Sequence, residues 1–284
     1  MLELLAALWL AASVPSAGHQ HGLDLYKQKD YASAIAALEQ AAQTESPGSL
    51  EFRESALLIG QSYFMLARAP KAIPWLEKLP EVNEANYMLG YAYLQNAQPD
   101  KSEAAFARLF GLKPESAAAH ATAAQMMLKK EFQDQAATEA AKALSLDPNV
   151  ARAHYLLGEI AISHGDLDGA IGHLDQEIAV DPGYSMAWYR LGDAYVRGEH
   201  WASAIPNLQR AVWLDPNFSG PFILLGKCYF KERNFSNAEG MLRAALTLDP
   251  RNREATYLLG QTLLATGRAE EAKAILEKLK APPN

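Results

Sequence analysis

Residues 185–216 read SMAWYRLGDAYVRGEHWASAIPNLQRAVWLDP, two helical patterns separated by a short turn. Trp188, Leu191, Gly192 and Tyr195 recur at helical spacing and share one face, which predicts a first helix over 185–197. Gly198 starts the turn. A second helix is expected from about Trp201, with Ala204, Leu208 and Ala211 on its inner side. Pro206 is expected in its first turn, where the missing N–H has no intrahelical partner to lose. Asp215-Pro216 ends the pattern, because a residue before proline is pushed out of helical geometry.

The same marks recur outward from this stretch. Prolines fall at Pro114, Pro148, Pro182, Pro216 and Pro250, each 34 residues after the last. Gly90, Gly158, Gly192, Gly226 and Gly260 keep that beat, with Ala124 in the one gap; Ala136, Ala170, Ala204, Ala238 and Ala272 keep it again, with Ser102 one step before. Three series sharing one period identify a helix–turn–helix repeat array in which each unit packs on its neighbours. Small residues at the glycine and alanine positions let the two helices of a unit approach closely.

The pattern Trp188-x2-Leu191-Gly192-x2-Tyr195 with Ala204, Leu208, Ala211 and Pro216 resembles the tetratricopeptide repeat (TPR) signature. Units at 53–80, 83–114, 117–148, 151–182, 185–216, 219–250 and 253–280 carry it, and Asp30-Tyr31-x2-Ala34-Ile35 with Leu38 marks a partial repeat and loop over 19–50. The resemblance implies an all-α solenoid, a right-handed superhelix of about eight antiparallel helix pairs. Residues 281–284 form a tail. The second-helix ends Phe110 and Leu112, Leu144 and Leu146, Ile178 and Val180, Val212 and Leu214, and Leu246 and Leu248 are expected to pack against the next unit.

The chain has 284 residues, 49% of them hydrophobic, and a formal net charge of −7. That balance argues against nucleic acid or an anionic membrane as a general partner, since both need a basic face. Cys228 is the single cysteine; it takes a slot held by Ala92, Ala194 and Ser62 elsewhere and reads as a buried, inert thiol. Leu4 to Ala12 form an apolar run followed by small residues to Gly18, which resembles a secretory signal peptide over residues 1–18, although Glu3 stands where a basic residue is usual. The run is too short for a stable membrane span. It leads to an expectation of a periplasmic or secreted protein; an apolar first solenoid helix in a cytoplasmic protein is the alternative.

No nucleophile, metal or phosphate motif stands out, and no cofactor is expected. His120 and His154 hold the position of Trp188 and Phe222 and read as aromatic fillers; His164, His173 and His200 read as surface. His19 and His21 offer two metal donors if His19 becomes the amino terminus.

The TPR resemblance places function on the concave face lined by first helices. One row there is Leu57, Tyr87, Ala121, Tyr155, Tyr189, Ile223 and Tyr257; the next is Gln61, Tyr91, Gln125, Glu159, Asp193, Lys227 and Gln261. Tyrosines offer contact area with a polar tip at little rotamer cost, or they complete packing between repeats. Arg190, Arg197, Lys227 and Lys231 form a cationic group suited to a carboxylate or acidic segment. The lysine/asparagine set that clamps chaperone C-termini in some family members is absent, since its positions hold Leu57 and Gln61, Tyr87 and Tyr91, and Tyr155 and Glu159. The reading is therefore a non-enzymatic scaffold for a protein or peptide partner, with Tyr87, Tyr91, Tyr155, Tyr189, Arg190, Arg197, Lys227, Lys231 and Tyr257 as its groove. Alternatives are a self-associating module and an accessory subunit of an enzyme or of a secretion or assembly complex.

Overall fold

The computed structural model describes residues 16–280. Most of the expected leader and the 281–284 tail lie outside that range. The described residues form sixteen α-helices and no strand: α1 Ala17–Lys27, α2 Tyr31–Ala42, α3 Leu50–Met65, α4 Ala69–Leu76, α5 Asn83–Gln95, α6 Pro99–Leu109, α7 Ala117–Leu128, α8 Gln133–Leu146, α9 Ala153–His164, α10 Leu167–Val180, α11 Ser185–Arg197, α12 Trp201–Leu214, α13 Ser219–Lys231, α14 Phe235–Leu248, α15 Arg253–Ala265 and α16 Ala269–Glu277. The chain divides into two compact units, the first ending at Lys130 and the second starting at Glu131. The 117–148 repeat is thus divided, with α7 in the first unit and α8 in the second.

Within each unit, first and second helices alternate, and first helices also touch one another. In the first unit α1, α3 and α5 make this inner row; in the second, α9, α11, α13 and α15 do. The glycine beat sets how closely the layers meet. A Cβ added to Gly192 would lie 2.5 Å from Leu208 Cδ2, and one on Gly90 would lie 2.2 Å from Phe106 Cε1. Each such glycine faces the residue sixteen places on, as Gly22 faces Leu38, Gly158 faces Leu174, Gly226 faces Leu242 and Gly260 faces Leu276. In the repeat with Ala124 in the glycine slot, the residue sixteen on is Ala140 instead of leucine.

The turns also repeat. After α11 the His200 N–H donates to the Tyr195 carbonyl at 2.9 Å and the Glu199 N–H to the Val196 carbonyl at 3.1 Å. This is the paired-bond helix stop that needs a left-handed residue, here Glu199 at φ 60 instead of Gly198. Second helices end as the sequence predicts. Asp147, Asp181, Asp215 and Asp249 leave helical geometry, and each carboxylate accepts the backbone N–H two residues on. Side-chain acceptance of that kind is how aspartate favours turns.

Two expectations change. Pro206 lies inside α12, beyond the first turn, and Pro74 holds the same place in α4; each helix gives up one backbone bond there and stays helical because its inner side is anchored by buried Ala204 and Leu208, or Ala72 and Leu76. Phe110, Leu146 and Leu248 are exposed. Each lies in or just after the final turn of a second helix, where the side chain clears the packed interface, and only the remaining members of that series are partly buried.

Candidate partner-binding site

The inner row of the first unit holds an open concavity of about 480 Å³, lined by Tyr26, Gln61, Phe64, Met65, Asn83, Glu84, Tyr87, Met88 and Leu109. Three successive first helices build most of it, with Leu109 added from the end of α6. Tyr26 comes from the end of α1, Gln61, Phe64 and Met65 from the last turns of α3, and Tyr87 and Met88 from α5. Met65 is 61% exposed and Tyr87 38%, an arrangement that leaves apolar surface uncovered at the rim. The Tyr26 hydroxyl donates to Gln61 Oε1 at 2.9 Å, fixing the amide on the floor. Tyr87 was placed in this face by its register. Tyr26, Phe64 and Met65 were not, because they occupy the helix ends beside the two rows read from sequence.

The other predicted tyrosines have different fates. Tyr91 is buried, its hydroxyl donating to the Met126 carbonyl at 3.0 Å, and burial pushes its pKa up to about 12. Tyr155 is buried under the next repeat, with the Tyr184 ring 5.1 Å away; burial raises its pKa as well. Tyr189 is half-buried with the Phe218 ring at 4.8 Å. These three complete the packing between repeats and offer little to a partner. Tyr257, on the last first helix, is 52% exposed.

The cations divide in the same way. Arg190 pairs with Glu159 of the preceding repeat and lies 3.6 Å from Asp193, while Arg197 Nε donates to Asp193 Oδ2 at 3.1 Å. Their charge is answered within the chain. Lys231 Nζ stands 5.5 Å over the Trp201 ring, and neither it nor Lys227 meets a carboxylate within ion-pair distance among the described residues.

Buried polar clusters lie away from these surfaces. His19 is fully buried, with Nδ1 2.9 Å from both Glu45 Oε1 and Ser55 Oγ and Nε2 3.1 Å from Glu54 Oε2. It is therefore a fastening between α1 and α3 and not a donor at a loose end. A serine, a histidine and a carboxylate in contact have the composition of a nucleophilic triad, but Ser55 is fully buried and its hydroxyl also donates to Glu45, so no substrate reaches it. Ser16 caps α1, so the end of the expected 1–18 leader falls within the first turn of a helix. His173, expected at the surface, packs on His154 with the two Nδ1 atoms 3.2 Å apart. Among the described residues no three His, Cys, Asp or Glu side chains are grouped to hold a metal, and no helix is long and apolar enough to cross a membrane.

Comparison with known proteins fits this architecture. Tetratricopeptide repeat family matches cover residues 19–86, 84–116, 128–185, 162–219 and 229–282. The chain belongs to the tetratricopeptide repeat family. No curated protein matches it in sequence. Among solved structures, this TPR chain is similar to YrrB, described as a TPR protein with an unusual peptide-binding site, at 25% identity and TM-score 0.54, covering 61% of this chain and 89% of that one. MamA matches at 24% identity and TM-score 0.52 over 55% of this chain and 91% of that one. PilF of Pseudomonas aeruginosa matches at 20% identity and TM-score 0.57 over 70% and 90%. MamA and PilF support the TPR solenoid fold alone.

Proposed function

We propose that this TPR protein is a non-enzymatic scaffold whose first-helix face holds a segment of a partner protein. The observation that carries the reading is the concavity of the first unit, where Tyr87 and Met65 stay exposed beside buried Met88 and half-buried Phe64. An apolar side chain of the segment enters between them, and the amides of Gln61 and Asn83 meet its backbone. The description of YrrB as a peptide-binding TPR protein supports the same use of the fold. The exposed tyrosines Tyr87 and Tyr257 supply contact area; Lys227 and Lys231 are the polar anchors that remain free of carboxylates.

We infer export to the bacterial envelope from the apolar run Leu4 to Ala12 and the small residues after it. Fractionation of the native host with N-terminal sequencing of the recovered chain tests this. A periplasmic chain lacking the run supports export, and a cytoplasmic chain that keeps it removes the reading.

The scaffold reading is tested by co-purification from the host with wild type and a Met65→Ser/Tyr87→Ala variant. Both sites are exposed, so the helical content should not change, as circular dichroism will verify. A partner held by wild type and released by the variant is the expected result. Partners held equally by both would place recognition elsewhere on the solenoid.

A further inference from the structure

A second cleft of the first unit, about 400 Å³, opens between the end of α4 and the helix pair α5 and α6. It shares no lining residue with the concavity of the inner row. The shortened repeat before it accounts for the opening. Tyr93 follows Tyr63 by 30 residues instead of 34, and α4 has 8 residues where α8, α10, α12 and α14 each have 14. The helix stops at Leu76, and Glu77 and Pro80 beyond it form one wall. Buried Leu89 and Tyr93 form the floor, and Lys101 and Arg108 of α6 stand on the other side. A volume of this size lies in the lower range of small-molecule sites.

The charged groups of the cleft meet around Tyr93. Its hydroxyl donates to Glu77 Oε1, and Lys101 Nζ stands 5.5 Å over its ring. Burial and then Glu77 push its pKa up, while Arg108 pulls the other way. The hydroxyl therefore stays protonated and holds the Glu77 carboxylate at the cleft. Arg108 Nε donates to Asn86 Oδ1 at 3.0 Å, which leaves the two terminal nitrogens for a carboxylate. Among the described residues neither Lys101 nor Arg108 meets an acid at ion-pair distance. The two stand two turns apart on one face of α6. Later repeats keep at most one of them, as Gln135 with Lys142 and Ser203 with Arg210.

We propose that this cleft binds a free acidic amino acid. One carboxylate pairs with Arg108 and the other with Lys101, the ammonium group pairs with Glu77, and the methylenes lie on Leu89 and the Tyr93 ring. Two cations and one anion answer the two carboxylates and one ammonium group of that class. A plain dicarboxylate leaves Glu77 facing negative charge, and a neutral amino acid leaves one cation unanswered, so the charge pattern selects against both. The inference goes beyond the scaffold reading and does not rest on it, since the cleft and the concavity have separate walls.

Calorimetric titration of L-glutamate into the full chain is the test, beside L-glutamine and glutarate, which each lack one of the three groups. Glutamate should bind about tenfold more tightly than either. Arg108→Gln, Lys101→Gln and Glu77→Gln change exposed side chains, so circular dichroism should show unchanged helical content. Each should weaken glutamate by about the same factor, and Glu77→Gln should leave glutarate no weaker. Met65→Ser/Tyr87→Ala, which alters the concavity alone, should bind glutamate as wild type does. Absence of glutamate binding to wild type at millimolar concentration would overturn the inference and leave the scaffold reading standing. Glutarate or glutamine matching glutamate would overturn the acidic amino acid as the ligand class. Binding indifferent to the three single substitutions, or lost in Met65→Ser/Tyr87→Ala, would overturn the site.

Discussion

Alanine in place of glycine should act in opposite directions on the two layers of this solenoid. Gly192 lies in α11 and Gly240 in α14, both inside helices, so helix propensity alone favours alanine at each by about 1 kcal/mol. At Gly240 nothing stands within 4 Å of the added Cβ, and the same is true of Gly172 in α10. Gly240→Ala and Gly172→Ala should therefore keep the full gain. At Gly192 the added carbon would lie 2.5 Å from both Cγ and Cδ2 of Leu208, a side chain with no exposed surface to retreat into. Overpacking costs roughly 1–3 kcal/mol, and a clash with two atoms of a fully buried leucine belongs at the upper end. Subtracting the propensity gain leaves a net loss of about 2 kcal/mol. Urea unfolding followed by far-ultraviolet circular dichroism reads the sign from the midpoint, provided the slope is unchanged. A second comparison isolates the contact. Leu208→Ala alone opens a cavity and is costly, yet Gly192→Ala added to it should cost nothing further, a positive coupling between the two sites. If Gly192→Ala and Gly240→Ala shift the midpoint the same way, close helix approach is not the reason for the glycine beat.

Three further outcomes are expected. Glu199 and Arg233 sit at φ 60 in the turn slot that Gly165 and Gly267 fill elsewhere, so Glu199→Gly or Arg233→Gly should stabilise by about 1 kcal/mol and Gly267→Ala should destabilise by a similar amount in the same urea assay. Burial lowers the pKa of His154, aided by the neighbouring His173, and burial lowers that of His173 too, against the opposing pull of Glu177 and Asp166 respectively. Folding then favours neutral rings, so their contribution is complete above the unfolded value of about 6.5 and is lost on acidification through the lower folded values. The urea midpoint should fall as pH drops below about 6.5, and His154→Phe should flatten that fall; an unchanged profile would separate the pair from acid sensitivity. Cys228 is buried and its thiol is pushed up to about 12 by burial, so an aromatic disulfide reagent at neutral pH should leave the native chain unmodified and titrate one thiol after unfolding.

The helix pairs, their stops and their close approach were legible because each is a one-dimensional pattern. A glycine and the leucine sixteen residues later, or an aspartate before a proline, carry their geometry in the spacing alone. Gly198 begins the turn as read, while the left-handed position falls one residue later, at Glu199, which the spacing does not single out. Left-handed geometry followed the bond pattern of the helix stop, and at this turn the bond pattern outweighed residue preference. His19 escaped for a different reason. Its partners Glu45, Glu54 and Ser55 lie in the next loop and helix, at distances that follow no repeat, so nothing periodic points to them.

The partner-binding face shows where the period stops being informative. Register put Tyr87, Tyr155, Tyr189 and Tyr257 in one row, and in sequence they are equivalent. What separates them is the side chain that the following repeat brings. Tyr184 and Arg190 arrive over Tyr155 and Phe218 over Tyr189, whereas Tyr87 and Tyr257 keep an open face. The cations divide by the same logic, because Glu159 reaches Arg190 across a repeat boundary and no comparable acid meets Lys227. A repeat therefore encodes its own helices, while the accessible chemistry of its inner face belongs to the pair of repeats that meet there. Substituting the covering residue should consequently alter the face more than substituting the row itself. Phe218→Ala would expose Tyr189 as Tyr257 is exposed now, giving the α11 first-helix face an apolar surface that it does not present in the native protein.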